Sequence, residues 1–171
     1  MHNRFIANHR FDFLLTKNFR IGFYEQIIFG GNSVPFSYLV PISPFFSSQH
    51  SSNDQDNLQI GIDLEYINNY KRIYFALMMD EWALYDTFKE TERNWFAYQL
   101  GYSYISKLYN KNILYKVEYT YVDPGAYNHR FLINEPKHHG YNLGYWSGSD
   151  SDDIVLSAIM FLNDYNYLEF E

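Results

Sequence analysis

The sequence predicts an all-β fold, an antiparallel transmembrane β-barrel present as an incomplete piece of about seven or eight strands. Three observations carry that expectation. Apolar and polar residues alternate with a period of two over long stretches. Short turns and long loops alternate strictly down the chain. Aromatic residues make up 21% of the 171 residues, with 18 Tyr and 15 Phe.

The first strands run near 4–16 and 19–30, joined by Lys17-Asn18. The next run near 57–67 and 72–83, joined through Asn68-Asn69-Tyr70-Lys71. The clearest alternation is Leu58, Ile60, Ile62, Leu64 and Tyr66 against Gln59, Gly61, Asp63 and Glu65. A helix would scatter those apolar residues around its circumference. Strands near 94–106 and 111–122 follow, meeting at Leu108-Tyr109-Asn110. Phe96, Tyr98, Leu100, Tyr102 and Tyr104 share one face of the first, and Ile113, Tyr115, Val117, Tyr119 and Tyr121 one face of the second. The last pair, near 153–163 and 167–171, turns at Asp164-Tyr165-Asn166. Each short turn carries Asn or Asp, which tolerate the positive φ of tight hairpins. The long connectors fall at about 31–56, 84–93 and 123–152.

A soluble sandwich or barrel buries its apolar face and shows no short–long rhythm of loops. An outer-membrane barrel turns that face to lipid, gathers Tyr and Trp at the two interfaces, and fills its interior with polar groups. Gln59, Asp63, Glu65, Lys116 and Glu118 face inward on this reading, too polar for a packed core. The longest unbroken apolar run, Ile73 to Met79, is far short of the ~20 residues of a membrane helix. A net charge of −7 argues against nucleic acid as a partner. With no cysteine, disulfide scaffolds and thiolate chemistry are excluded. Residues 1–171 thus read as a single partial outer-membrane β-barrel domain. Its last strand, Tyr167 to Glu171, stops early, so the chain is expected to be a fragment of a barrel of roughly sixteen to eighteen strands. Met1-His2-Asn3-Arg4-Phe5 has no signal-peptide pattern, so the signal is expected to be missing from this chain.

Three stretches carry a family resemblance. The first runs from His9-Arg10-Phe11-Asp12-Phe13 through Lys17 to Glu25 and on to Phe29-Gly30-Gly31. The second runs from Ser52-Asn53-Asp54-Gln55-Asp56-Asn57 through Ile60-Gly61-Ile62-Asp63 to Met79-Asp80-Glu81-Trp82. The third joins Glu118-Tyr119-Thr120-Tyr121-Val122-Asp123-Pro124, Tyr127-Asn128-His129, His139-Gly140, Leu143-Gly144 and Gly148 to Asp153. In this order they resemble the capsule assembly Wzi family of bacterial outer-membrane barrels. The resemblance implies extracellular loops that close the pore. It also implies a role in holding capsular polysaccharide at the surface, as a lectin and not as an enzyme. The chain departs from the family pattern at Tyr145-Trp146, where members often carry His-Pro.

Loop 123–152 is the functional candidate. It holds Tyr127, His129, His138, His139, Tyr141, Tyr145, Trp146, Asp150 and Asp152. Aromatic faces stack on sugar rings, while carboxylates and imidazoles hydrogen-bond hydroxyls. Tyr127, His129, His139, Tyr141, Trp146, Asp150 and Asp152 are the glycan-binding candidates, set against the alternative that loop aromatics merely anchor the membrane interface. Gly148 to Asp153 offers oxygen ligands but not the spacing of a calcium loop. His138-His139 lacks the helical spacing of a zinc site. No catalytic residue, cofactor or metal is expected.

Loop 31–56 is apolar for a loop, with Pro35, Phe36, Tyr38, Leu39, Pro41, Pro44, Phe45 and Phe46. It is expected either to plug the barrel mouth or to lie on neighbouring loops, and Ser47 to Asn53 reads as a polar, flexible tail. Glu25 falls in phase with Phe19, Ile21, Phe23 and Ile27, which leaves either a bulge that re-aims it or a place near the interface. G-x-S-x-G, Gly-rich phosphate loops and H-E-x-x-H are absent. The expected partners are surface polysaccharide and outer-membrane lipid, for a barrel that is monomeric when full length. A porin-like diffusion channel and an outer-membrane hydrolase are the alternatives.

Overall fold

The computed structural model describes residues 3–171 apart from 32, 42, 52–55 and 81–93, and the side chains of 49–51 are likewise outside the description. Among the described residues, eight strands form one antiparallel sheet. In chain order they are β1 (Asn3–Thr16), β2 (Phe19–Gly31), β3 (Asn57–Ile67), β4 (Lys71–Asp80), β5 (Trp95–Leu108), β6 (Lys111–Val122), β9 (Ser151–Phe161) and β10 (Tyr167–Phe170). Two short strands, β7 (Lys137–His138) and β8 (Tyr141–Asn142), pair separately inside the last long loop. The large sheet follows the chain, with β1 and β10 as its edges. Among the described residues, the short turns lie at one end of the sheet and the connection between β6 and β9 leaves from the other.

The strand bounds follow the alternation closely. β5 runs on to Leu108, and β9 begins two residues before its expected start. Residues 81–83 of the expected fourth strand, and the 84–93 connector, lie outside the described residues. The turns use the expected chemistry. Asn68 Oδ1 accepts the N–H groups of Tyr70 and Lys71, and Asn163 Oδ1 those of Tyr165 and Asn166. Tyr109 and Asn110 both take positive φ, 48° and 62°, as a two-residue hairpin of this hand requires.

Register assigns every strand residue to one of two faces. One face is apolar: Phe11, Phe23, Ile62, Leu77, Tyr98 and Tyr121 follow one another across six strands. The other is polar: Arg10, Asp63, Gln99, Lys116 and Glu118 lie on it. Side chains from β2 to β6 on this face line a common cavity, so the sheet curls with the polar face inside. At Gly61 and Gly101 the rings of Tyr24 and Tyr74, one strand over, occupy the space a Cβ would need. These are close cross-strand approaches that only glycine permits.

Composition alone points loop 31–56 at the barrel mouth or at neighbouring loops, but it lies instead on the apolar face. A 3-10 turn (Phe36–Leu39) and helix α1 (Phe45–Ser51) bring Tyr38 and Phe45 onto Ile27, Phe29 and Leu58, flanked by Phe5, Ala7 and Ile60. The reason is affinity of like for like, since the segment's own Phe, Tyr and Pro side chains leave water on the apolar face and would stay in it against a polar lumen. The serines expected in a flexible tail belong in part to α1. Glu25 stays on the apolar face, because the β1–β2 register is unbroken there and no bulge re-aims it. His9 Nδ1 lies 3.0 Å from its Oε1, and the Phe45 N–H donates to the same carboxylate at 3.0–3.1 Å. The Glu25 charge is met by α1's first free N–H group and by an imidazole stacked on Phe45 at 4.0 Å.

Candidate functional site

Loop 123–152 folds the opposite way, over the polar face. Its base is closed by the Asp150 N–H donating to the Asp123 carbonyl at 3.4 Å. A tight turn follows, in which Asp123 accepts from the Gly125 and Ala126 N–H groups. The turn leaves Tyr127 with φ 64° and its side chain pointing inward, 6% exposed. Its N–H donates to Asp80 Oδ2 at 2.7 Å, and the same oxygen accepts from Gln59 Nε2 at 3.2 Å. Its phenol oxygen accepts the Tyr145 N–H at 3.1 Å, with the ring against Gly144. Burial pushes the Tyr127 phenol above its ordinary pKa, helped by the nearby Asp80 charge and opposed by the Tyr145 N–H. The hydroxyl therefore keeps its proton at neutral pH.

Farther out, the loop crosses the sheet to its first strands. The Arg4 guanidinium donates to the carbonyls of Glu135, at 3.3 Å, and Lys137. Ile133 fills the space above Gly30. On the return, the Tyr145 hydroxyl donates to Asp153 Oδ2 at 2.7 Å. The loop is thus a roof fastened to β1, β4 and β9.

Beneath it lies a cavity of about 360 Å³ lined by Tyr24, Gln26, Gln59, Gln99, Thr120, Tyr127 and Tyr145, with Met78 and Ala97 at its floor. The polar groups are amides and hydroxyls, partly paired among themselves. Gln26 Nε2 donates to Gln59 Oε1, and Gln99 Nε2 to Thr120 Oγ1, each at 3.1 Å. Toward the turn end the polar face opens into a second cavity of about 480 Å³, whose lining is charged. In and beside it on the polar face, Arg10 bridges Asp12 and Asp63, Arg20 bridges Asp12 and Glu65, and Arg72 Nε meets Glu65 at 2.6 Å. Glu118 accepts from Tyr74 and lies 3.2 Å from Lys116 Nζ. The upper chamber offers neutral hydrogen-bonding groups beside aromatic rings, a lining suited to sugar hydroxyls. The lower one is a closed ladder of opposite charges.

The structure spreads the residues proposed from sequence over three surfaces. Tyr127 joins the cavity. Tyr141 and Trp146 stand outward on the roof, 78% and 74% exposed. His139 occupies the β7–β8 turn with φ 49°, its ring edge-on to His138 at 4.3 Å. His129 Nδ1 accepts the Phe131 N–H at 3.1 Å, and Asp150 takes φ 56° at the loop base. Asp152 lies within β9 in register with Tyr121, on the apolar side of the sheet from Tyr127. Tyr24, Gln26 and Gln99 emerge only from the structure. Their sequence signal is uncharged polar side chains at inward positions of β2 and β5. Among the described residues, no three His, Asp or Glu side chains converge as metal ligands would.

The model of one protein family, described as capsule assembly protein Wzi, matches residues 1–171. No curated protein and no solved structure matches the chain.

Proposed function

The chain belongs to the capsule assembly protein Wzi family of outer-membrane proteins, and from there we propose that it holds capsular polysaccharide at the cell surface through the roof formed by residues 123–152. The observation that carries this reading is the roof itself. It presents Tyr141 and Trp146 outward, over a chamber of uncharged amides and hydroxyls. Exposed rings of this kind stack on pyranose faces, and neutral donors and acceptors match ring hydroxyls without requiring a charged ligand. The role is one of binding, and the polysaccharide is the partner.

The test is retention of purified capsular polysaccharide on outer-membrane vesicles carrying the protein in its natural full-length context. Trp146→Ala and Tyr141→Ala are each expected to weaken retention by roughly threefold to tenfold, the loss of one stacking contact. Tyr109→Ala, a still more exposed aromatic at the turn end, is expected to leave it unchanged. Equal retention by all three variants and the parent overturns the proposal.

A further inference from the structure

The segment between β2 and β3 sits where lipid contact is made on the rest of the sheet. Phe29 stands as far from the start of β2 at Phe19 as Tyr121 does from the start of β6 at Lys111. At that height β5 and β6 present Tyr98, Tyr119 and Tyr121, with rings 5.2–6.0 Å apart, the kind of aromatic cluster that marks a membrane interface. On β1–β3 the corresponding side chains Phe5, Phe29 and Leu58 are covered by Tyr38 and Phe45. The outer surface there belongs to the segment.

That surface is apolar. Residues 31–53 contain no Asp, Glu, Lys or Arg, whereas 123–152 holds Asp123, Arg130, Glu135, Lys137, Asp150 and Asp152. In the 3-10 turn, residues three apart stack on one side. Phe36 and Leu39 therefore point away together, 79% and 62% exposed, while Tyr38 turns into the core. Below them the apolar face continues with exposed Phe11, Phe23 and Phe13. The His9–Glu25 pair, which lipid would solvate poorly, is shielded beneath Phe45.

We infer that the 3-10 turn Phe36–Leu39 and helix α1 form a membrane-seated collar, with Phe36 and Leu39 inserted among the acyl chains of the leaflet on the long-loop side. The inference rests on the outer-membrane reading. Its partner is lipid, reached through apolar contact continuous with the strands below. The collar keeps lipid away from the His9–Glu25 hydrogen bond and fixes the depth of β1–β3 in the bilayer.

The chain contains no cysteine, so single-site labelling is direct. Phe36→Cys, Leu39→Cys, Leu100→Cys and Trp146→Cys would each carry an environment-sensitive fluorophore, in protein reconstituted into phospholipid vesicles. Quenching is read with aqueous iodide and with lipids bearing an acyl-chain nitroxide. Labels at 36 and 39 are expected to match Leu100→Cys, quenched by nitroxide lipid and several-fold less by iodide than Trp146→Cys. Iodide quenching at 36 and 39 equal to that at 146, with 100 still reached by lipid, overturns the collar alone. Labels at 36 and 39 shielded from both quenchers also overturn it, since protein and not lipid would cover them. Failure of nitroxide lipid to reach position 100 overturns the membrane reading, and the collar with it.

Discussion

Two long connections leave the same end of one sheet and go to opposite faces. The 3-10 turn Phe36–Leu39 and helix α1 fold outward over Ile27, Phe29 and Leu58. Residues 123–152 fold inward over Met78, Ala97 and Val122 and are fastened by Asp80 and Arg4. Both leave strands whose outward side chains near that end are aromatic, Phe29 on β2 and Tyr121 on β6, so the strands alone do not direct them. The side chains of the loops do. An uncharged segment rich in Phe, Pro and Tyr finds the apolar surface, where burying it gains most. A segment carrying charges and backbone carbonyls finds the polar wall, where guanidinium and carboxyl groups complete its hydrogen bonds. Loop destination in this barrel is a matter of matching polarity, face by face.

The comparison can be broken one loop at a time. Phe45→Ala has the largest expected effect, since the ring is fully buried between His9 and Tyr38. Its loss should cost about 3 kcal/mol. It should release 31–51 to protease while 123–152 stays protected. Asp80→Ala is the mirror experiment. It leaves the Tyr127 N–H and Gln59 amide without their shared acceptor, at a cost of about 2–3 kcal/mol, and should expose 123–152 alone. Hydrogen exchange at the Tyr127 and Phe45 amides separates the two outcomes, and joint release of both loops by either variant would refute their independence. Glu25→Ala should cost about 1–2 kcal/mol, because it strands the Phe45 N–H and His9 while keeping the aromatic contacts. Exchange at the Phe45 amide should rise, with little change at Tyr127. Tyr145→Phe removes only the hydroxyl bond to Asp153 and should cost about 1 kcal/mol. It is read as modestly faster proteolysis within 123–152.

The strands were legible because their signal is local. Leu58 to Tyr66 alternate within one short stretch, and Asn68 or Asn163 marks a turn whatever lies far away. The loop positions were not legible, because Tyr38 meets Phe29 and Phe45 meets His9 only once β1, β2 and β3 are side by side. Glu25 shows the same limit. Its place on the apolar face could be read from phase, but the backbone N–H that hydrogen-bonds it belongs to a distant helix. For the candidate site, Gln59 was readable as an inward residue and Tyr127 as a loop aromatic. That they share Asp80 as a hydrogen-bond acceptor depends on a positive φ at Tyr127 that nothing in its own sequence announces. Gln26, Gln99 and Thr120 lie on three strands, and only the curl of the sheet brings them to one chamber.

The Arg4 clasp has a consequence for how the molecule comes together. Its hydrogen bonds to the carbonyls of Glu135 and Lys137 span 131 and 133 residues of chain. Contacts of such separation form late, after the loop-closure entropy of everything between has been met. Neighbouring strands can zip up from their hairpins in turn, but the roof has nothing to grip until the first strand and the seventh of the sheet belong to one wall. The surface bearing Tyr141 and Trp146 is therefore the last part to take shape, and a half-assembled wall carries no finished roof.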